Sequence, residues 1–187
     1  LPAGMAAFDQ VLGDWGADVL KIEHPVYGDP QRNVAAWGVP AEVNGICHLF
    51  EVANRGKRSM GLDISTPEGY EILLELVDQS DVFVTNFLPA TRRSLKIEPE
   101  HIQGRNPCIV YARGSAQGQL GDGAERGGFD AISYWGKSGA SVGVTPPEDP
   151  WPLAMPGPGF GDLQSGMALA GAIAAGLFER ERTGRGP

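Results

Sequence analysis

Residues 66–86 read TPEGYEILLELVDQSDVFVTN, a stretch that combines a helix start, an amphipathic helix and a short apolar strand. Thr66 is a favourable N-cap, Pro67 suits the first helical position, and Glu68 places an acid in the first turn. Apolar side chains then recur at helical spacing, and the run 82–84 is apolar throughout. The stretch therefore predicts a helix followed by a buried strand.

The same alternation continues on both sides of this stretch. Patterning predicts further strands at 17–23, 57–64 and 108–113, helices at 5–15, 99–104 and 163–179, and a loop over 24–44. Strands that alternate with helices predict an α/β fold with an open, mostly parallel sheet. Ligands bind such sheets at the carboxyl ends of the strands, which here are Glu23, Asp63, Asn86-Phe87 and Arg113-Gly114. Residues 114–161 are rich in Gly, Pro and Ser, with one helix predicted at 129–135, and long loops of this kind are usually functional.

Composition excludes several classes of function. The 187 residues carry a net charge of −8, which argues against nucleic-acid binding through basic patches. We find no transmembrane-length apolar run, and Cys47 and Cys108 lie in no metal-ligand spacing, so we expect a cytoplasmic protein with reduced thiols. No motif for a nicotinamide or flavin cofactor, a P-loop, a zinc protease or a serine hydrolase occurs, so we expect no metal or redox cofactor. The chain does not begin with Met, and we interpret it as a fragment of a longer protein.

Asp162 follows a glycine-rich loop, residues 156–161, and precedes the apolar helix predicted at 163–179. A carboxylate at this junction either caps the helix or acts as a nucleophile where glycines let a substrate approach. Spacing alone favours the cap. The positive charges that precede this region form loop clusters at Arg32, at 55–58 and at Arg92-Arg93, which are either solvated surface charges or phosphate contacts.

Several short motifs occur in order along nearly the whole chain. They are LGDWGADVLKIE at 12–23, GDPQR at 28–32, NRGKRS at 54–59, LD at 62–63 with TPEG at 66–69, DV at 81–82 with NFLP at 86–89, NP at 106–107, GD at 161–162 and RERTGRG at 180–186. Together they resemble the class III coenzyme A transferases, the family that includes formyl-CoA transferase, carnitine CoA-transferases and α-methylacyl-CoA racemases. Each motif is weak alone, but the set in this order is specific.

The resemblance implies a Rossmann-like large domain, CoA or acyl-CoA as substrate, a carboxylic acid as second substrate, and an interlaced homodimer. Residues 1–187 would form the N-terminal part of the large domain, without the small domain and the C-terminal return segment. Asp162 stands where the family's aspartate forms a mixed anhydride with the acyl group, and backbone N–H groups at the helix start would stabilise the oxyanion. The resemblance places CoA contacts at Arg32, Leu62, Asn86 and Phe87, and it places Gln10 near the acyl group. Arg58, Arg92 and Arg93 are further candidates for the CoA phosphates.

Two positions depart from the family pattern. Phe129 stands where the racemase branch has a histidine, and because Phe carries no transferable proton, CoA transfer is favoured over racemisation. Ser65 stands where some members have a phosphate-binding lysine, so Lys57 or one of the arginines would have to replace that contact. Racemase-like proton transfer and a non-catalytic CoA-binding domain are the alternative interpretations.

Overall fold

The computed structural model describes residues 10–32 and 42–187. Two pairs of parallel strands form its centre, and one short antiparallel hairpin lies outside them. The parallel pairs are β1 (Leu20–Glu23) with β4 (Arg58–Gly61) and β5 (Val82–Thr85) with β6 (Val110–Arg113). The hairpin joins β2 (Glu42–Val43) to β3 (Ile46–Cys47) through a turn in which Asn44 and Gly45 both have positive φ, as a tight hairpin turn requires.

Helices connect these strands, so the predicted α/β class is confirmed. They are α1 (His48–Asn54), α2 (Pro67–Asp78), α3 (Pro89–Ser94), α4 (Pro99–Arg105), a π-helical turn (Ala131–Gly136), α5 (Ala140–Val144) and α6 (Phe160–Thr183). Of the helix predicted at 5–15, residues 10–14 are helical and residues 5–9 lie outside the described part. Part of the loop predicted over 24–44 also lies outside it, and the hairpin occupies the end of that loop.

Helix α2 begins as the sequence predicts. The Thr66 hydroxyl accepts a hydrogen bond from the backbone N–H of Gly69 at 3.1 Å. The apolar face of α2 then packs into the main core, whose fully buried members are Leu73, Val77, Ile97, Ile102 and Ile109. Two tyrosine hydroxyls hydrogen-bond the segment between α3 and α4 to this core. Tyr70 donates to the Lys96 carbonyl at 2.9 Å, and Tyr111 donates to the Ile97 carbonyl at 2.6 Å.

Helix α6 lies against β6 through its small residues. A methyl group added at Gly176 would lie 3.1 Å from Cγ1 of Val110, so the absence of a side chain permits this close packing. Gly166, Ala170 and Ile173 are buried along the same face. Three further small residues of α6, Gly171, Ala174 and Ala175, are exposed. The packing of α6 fixes the position of its first turn relative to the carboxyl end of β6.

Several features differ from the sequence-based expectation. The parallel strands form two separate pairs rather than one continuous sheet across the described residues. The sequence pattern does not predict the helices α1, α3 and α5, because each is at most two turns long and too short to show a helical period. The helix predicted at 129–135 is a π-helical turn. In the part of the chain that the structure describes, no helix has both the length and the apolar character needed to cross a membrane.

Candidate active site

The first turn of α6 is capped by an acid from a distant part of the chain. The backbone N–H of Gly161 donates to both carboxylate oxygens of Asp130, at 3.0 and 3.1 Å. The N-cap position itself is Gly159, which has a φ of 80° and no side chain to offer. Asp162 lies inside the first turn, so the interpretation of Asp162 as the helix cap is wrong. The sequence suggested that role because an acid at a glycine–helix junction is typical of caps, but α6 begins two residues earlier, at Phe160.

Asp162 is left free for chemistry by this arrangement. Among the described residues, none forms a hydrogen bond or ion pair with its carboxylate, and the residue is half-buried. Burial, with repulsion from the Asp130 carboxylate as the smaller cause, raises the pKa of Asp162 to about 6. Burial also raises the pKa of Asp130, whereas hydrogen bonds from the backbone of Gly161, Asp162 and Gly159 act in the opposite direction. Asp162 is therefore a poorly solvated carboxylate that is still ionised at neutral pH.

Gly161 is required by the closeness of two neighbours. A methyl group at this position would overlap the ring of Tyr134 and the carboxylate of Asp130. Tyr134 is held in place because its hydroxyl donates to Oε1 of Gln164 at 2.5 Å. Since Asp130 uses the backbone N–H groups at the helix start, the expectation that these groups are free to stabilise an oxyanion is not supported.

A cavity of about 980 Å³ opens beside Asp162, at the carboxyl ends of β5 and β6. The two strand ends are joined by a hydrogen bond from the Gly114 N–H to the Thr85 carbonyl, at 3.0 Å. Asn86-Phe87 and Arg113-Gly114, which follow from the strand pattern as a ligand-binding edge, line this cavity together with Asp162. The other two predicted strand ends, Glu23 and Asp63, are not among its lining residues.

Four of the predicted CoA-contacting residues lie in this cavity, namely Asn86, Phe87, Arg92 and Arg93. Arg92 is only 5% exposed, and its guanidinium donates to Glu98 at 3.0 Å and to the Phe87 carbonyl at 2.6 Å. A phosphate contact by Arg92 is therefore not supported, because its donors serve to hold the loop after β5. Arg93 pairs with Glu125 at 3.1 Å, but both side chains are exposed, so exchange of that partner for a phosphate would cost little.

The other predicted contacts lie elsewhere. The Arg32 guanidinium binds both oxygens of Glu23 and stacks 3.9 Å from the centre of the Phe50 ring. Arg58 pairs with Asp18 at the amino end of β4, the end opposite to ligand binding in parallel sheets, so this geometry does not support a CoA contact.

Leu62 packs against the main core, and Gln10 is buried with its amide donating to Asp14. Each stays a prediction of the family resemblance. Ser65 donates its hydroxyl to Asp63 at 2.6 Å.

The contact that Asp130 makes with the start of α6 is not evident from the sequence. Asp130 lies 31 positions before Gly161, and no motif links the two. Its only signal is an acid at the start of the helix predicted at 129–135. Phe129 lines the cavity with 61% of its side chain exposed, and none of the described lining residues is a histidine. Among the described residues no group of three or more potential ligands could hold a metal ion.

The requirement for glycine at position 161 can be tested within one helix. Gly161→Ala should lower the free energy of unfolding by about 1–3 kcal/mol, because the methyl group displaces Tyr134 and Asp130. Gly171→Ala is the matched control, since its added methyl group meets nothing within 4 Å and should stabilise α6 by about 0.5–1 kcal/mol. Urea unfolding of both variants measures the difference. Equal effects of the two substitutions would contradict the packing described at Gly161.

The raised pKa of Asp162 predicts a pH-dependent effect on stability. Because the pKa is about 6 in the folded protein against an ordinary 3.8, ionisation costs stability as pH rises through 6, and the cost disappears below 3.8. Asp162→Asn should therefore stabilise the protein by about 1–3 kcal/mol at pH 8 and by much less at pH 4. Urea unfolding at the two pH values measures this, with Asp149→Asn at an exposed position as control. A gain of equal size at both pH values would show that the charge of Asp162 is not the cause.

The chain is similar to a known protein family and to several of its members. The family model described as "CoA-transferase family III" matches residues 3–187. Succinyl-CoA:glutarate CoA-transferase of Mus musculus is 40% identical over 175 residues, which cover 94% of this chain and 38% of that protein. The (R)-2-hydroxy-4-methylpentanoate CoA-transferase of Clostridioides difficile is 32% identical over 177 residues, covering 95% of this chain and 44% of that protein.

Solved structures give the same assignment. A CAIB/BAIF family protein from Brucella suis superposes with a TM-score of 0.83 at 34% identity, covering 98% of this chain and 47% of that one. The hypothetical protein Rv3272 from Mycobacterium tuberculosis superposes with a TM-score of 0.81 at 33% identity, covering 98% and 48%. The chain spans less than half the length of these relatives. The family match, the sequence identity and the shared fold together show that this chain belongs to CoA-transferase family III.

Proposed function

We propose that this chain carries the catalytic aspartate of an enzyme that transfers CoA between an acyl-CoA and a carboxylic acid, and that Asp162 is that aspartate. The observation that carries the proposal is the state of its carboxylate. It borders a large cavity, has no hydrogen-bond partner among the described residues, and has a pKa of about 6. A carboxylate that is ionised at neutral pH but poorly solvated is suited to nucleophilic attack.

In the proposed reaction an oxygen of the Asp162 carboxylate attacks the thioester carbon of the acyl-CoA. The C–S bond breaks, CoA leaves as the thiolate, and the acyl group stays on Asp162 as a mixed anhydride. The acceptor carboxylate then attacks the acyl carbon, which releases Asp162 and forms an anhydride between the two acids. The CoA thiolate attacks the acceptor's carbonyl carbon, giving the new acyl-CoA and the free donor acid. Charge balances in each step, and Asp162 is regenerated as a carboxylate.

The surroundings of Asp162 support transfer over the racemase alternative. Racemisation at the α-carbon needs an acid and a base on opposite sides of the substrate, and Phe129 supplies neither. Asp130, the other acid beside Asp162, accepts backbone hydrogen bonds from the start of α6 and so has a structural task already. The relatives bear the names of CoA transferases that act on carboxylic acids, which supports the same choice.

Further parts of the proposal rest on the family resemblance. We take Asn86 and Phe87 as CoA contacts because they border the cavity of Asp162, and we retain Arg93 at its rim as a phosphate contact. Residues 1–187 would be part of a larger CoA-binding domain, since the relatives are more than twice as long. An interlaced homodimer and a cytoplasmic location belong to the same proposal.

Chemical trapping tests the role of Asp162. We expect the full-length protein, incubated with an acyl-CoA panel and hydroxylamine, to form an aspartyl hydroxamate at Asp162 that peptide mass spectrometry locates. In a separate reaction without hydroxylamine, the rate of the first release of CoA should rise with pH through about 6, because only the ionised carboxylate attacks the thioester. Asp162→Asn should give no hydroxamate at this position.

Asp130→Asn is the matched variant for this experiment. Asn keeps an oxygen that can accept the Gly161 N–H but removes the negative charge beside Asp162. The hydroxamate should still form, and the pH midpoint of CoA release without hydroxylamine should be lower than in the wild type. Normal CoA transfer by Asp162→Asn, or a hydroxamate on another residue, would refute the assignment. CoA binding without any covalent adduct would instead support a non-catalytic domain.

A further inference from the structure

The cavity beside Asp162 has an uneven distribution of charge. Among the described residues, its charged lining consists of four arginines and four acids, namely Arg92, Arg93, Arg113, Arg126, Glu98, Glu125, Asp130 and Asp162. Two of the arginines have carboxylate partners: Arg92 pairs with Glu98 at 3.0 Å and Arg93 with Glu125 at 3.1 Å. What remains is a pair of aspartates and a pair of arginines without ion-pair partners.

Arg113 and Arg126 are the two cations in question. Within the described part of the chain, no carboxylate lies within 4 Å of either guanidinium. Among the residues that the structure describes, the Arg113 guanidinium donates only to the side-chain amide oxygen of Gln119, which is neutral. No side-chain partner of Arg126 is found among the described residues. Both guanidinium groups therefore retain donors that an anionic ligand in the cavity could use.

The fold brings these two side chains to one cavity from different elements. Arg113 is the last residue of β6, at the strand edge that opens toward Asp162. Arg126 lies on the loop between β6 and the π-helical turn. The ion pair between Arg93 and Glu125 connects that loop to α3 at the residue that precedes Arg126. The loop also forms a turn here, in which the backbone N–H of Arg126 donates to the Gly123 carbonyl at 2.9 Å. The two arginines are therefore placed by the backbone rather than by mutual contact.

We propose that Arg113 and Arg126 bind the second carboxylate of a dicarboxylic substrate, so that this site selects acids and acyl groups with a carboxylate at each end. The inference rests on the proposed function, since it requires that the reacting carboxyl group meets Asp162. One carboxylate has two oxygens, and each guanidinium presents a fork of donors that matches them. Apolar side chains that line the same cavity, Phe87, Leu88 and Ile132, suit the methylene chain between the two ends.

A single carboxylate fits this charge balance better than the phosphates of CoA. The four arginines and four acids of the lining cancel in formal charge, whereas a diphosphate carries more than one negative charge and requires a net positive site. The end of the cavity formed by Arg113 and Arg126 carries two positive charges without a carboxylate partner among the described residues, and one bound carboxylate reduces that local charge from +2 to +1. The phosphates are left to Arg93 at the exposed rim and to the predicted contacts outside the cavity.

Matched substrates test this inference in the full-length protein. Succinyl-CoA and butyryl-CoA both have four-carbon acyl groups and the same CoA phosphates, and they differ in the terminal carboxylate. We expect kcat/KM to favour succinyl-CoA in the wild type. Arg113→Gln and Arg126→Gln should each lower kcat/KM for succinyl-CoA by about 10- to 100-fold, the usual effect of losing a charged hydrogen bond, and change it for butyryl-CoA by less than about threefold. Arg113→Lys, which keeps the charge, should fall between Arg113→Gln and the wild type.

Arg105→Gln is the control for loss of an arginine, because Arg105 pairs with Asp78 outside the cavity and should leave both rates unchanged. Equal losses with the two donors would show that the arginines contact CoA itself or support the fold, and would overturn the inference. A wild type without preference for succinyl-CoA would overturn it too, even if the hydroxamate forms at Asp162. Absence of transfer and of hydroxamate with every donor would instead refute the proposed function, and the inference with it.

Discussion

The contact between the Asp130 carboxylate and the backbone of Gly161 is the constraint on which the rest of the site depends. A cap supplied from 31 residues away anchors the start of α6 to the π-helical turn. The start of a helix carries a partial positive charge, so it stabilises the negative charge of Asp130, and the Asp130 carboxylate in turn stabilises the start of α6. Because Asp130 provides the cap, Asp162 is free of that role, and because position 161 is glycine, the two acids approach closely enough to repel.

The remaining elements place a substrate cavity against this pair of acids. Small residues bring α6 onto β6, and hydrogen bonding between the ends of β5 and β6 holds their loops side by side. The buried Arg92 fixes the loop after β5 through the Phe87 carbonyl and Glu98. A buried ion pair of this kind contributes little net stability, so its value lies in keeping one geometry for the residues that follow Thr85. In the described part of the chain, the cavity then has two aspartates without cationic partners and two arginines without anionic ones.

The fold class and the location of the site follow from sequence to a large extent. The cap at Thr66, the apolar face of the following helix and the strands at 82–85 and 110–113 are local signals, and local signals are what pattern reasoning detects. The expected edge at Asn86-Phe87 and Arg113-Gly114 is the edge that opens beside Asp162. The hairpin at 42–47 and the helix α3 are too short to give such a signal.

Which charged residues pair with each other cannot be predicted from the sequence. Arg58 meets Asp18 across 40 residues, and Asp130 meets Gly161 across 31, and in both cases only the packed chain brings the partners together. Sequence therefore identifies arginines as candidate anion contacts without showing which of them have a carboxylate partner.

The most direct measurement of the central claim is the pKa of Asp162, followed by NMR in the full-length protein with labelled aspartate carboxyl carbons and with Asp162→Asn to assign the signal. We expect a midpoint of about 6. A midpoint near 4, typical of a solvated aspartate, would contradict it.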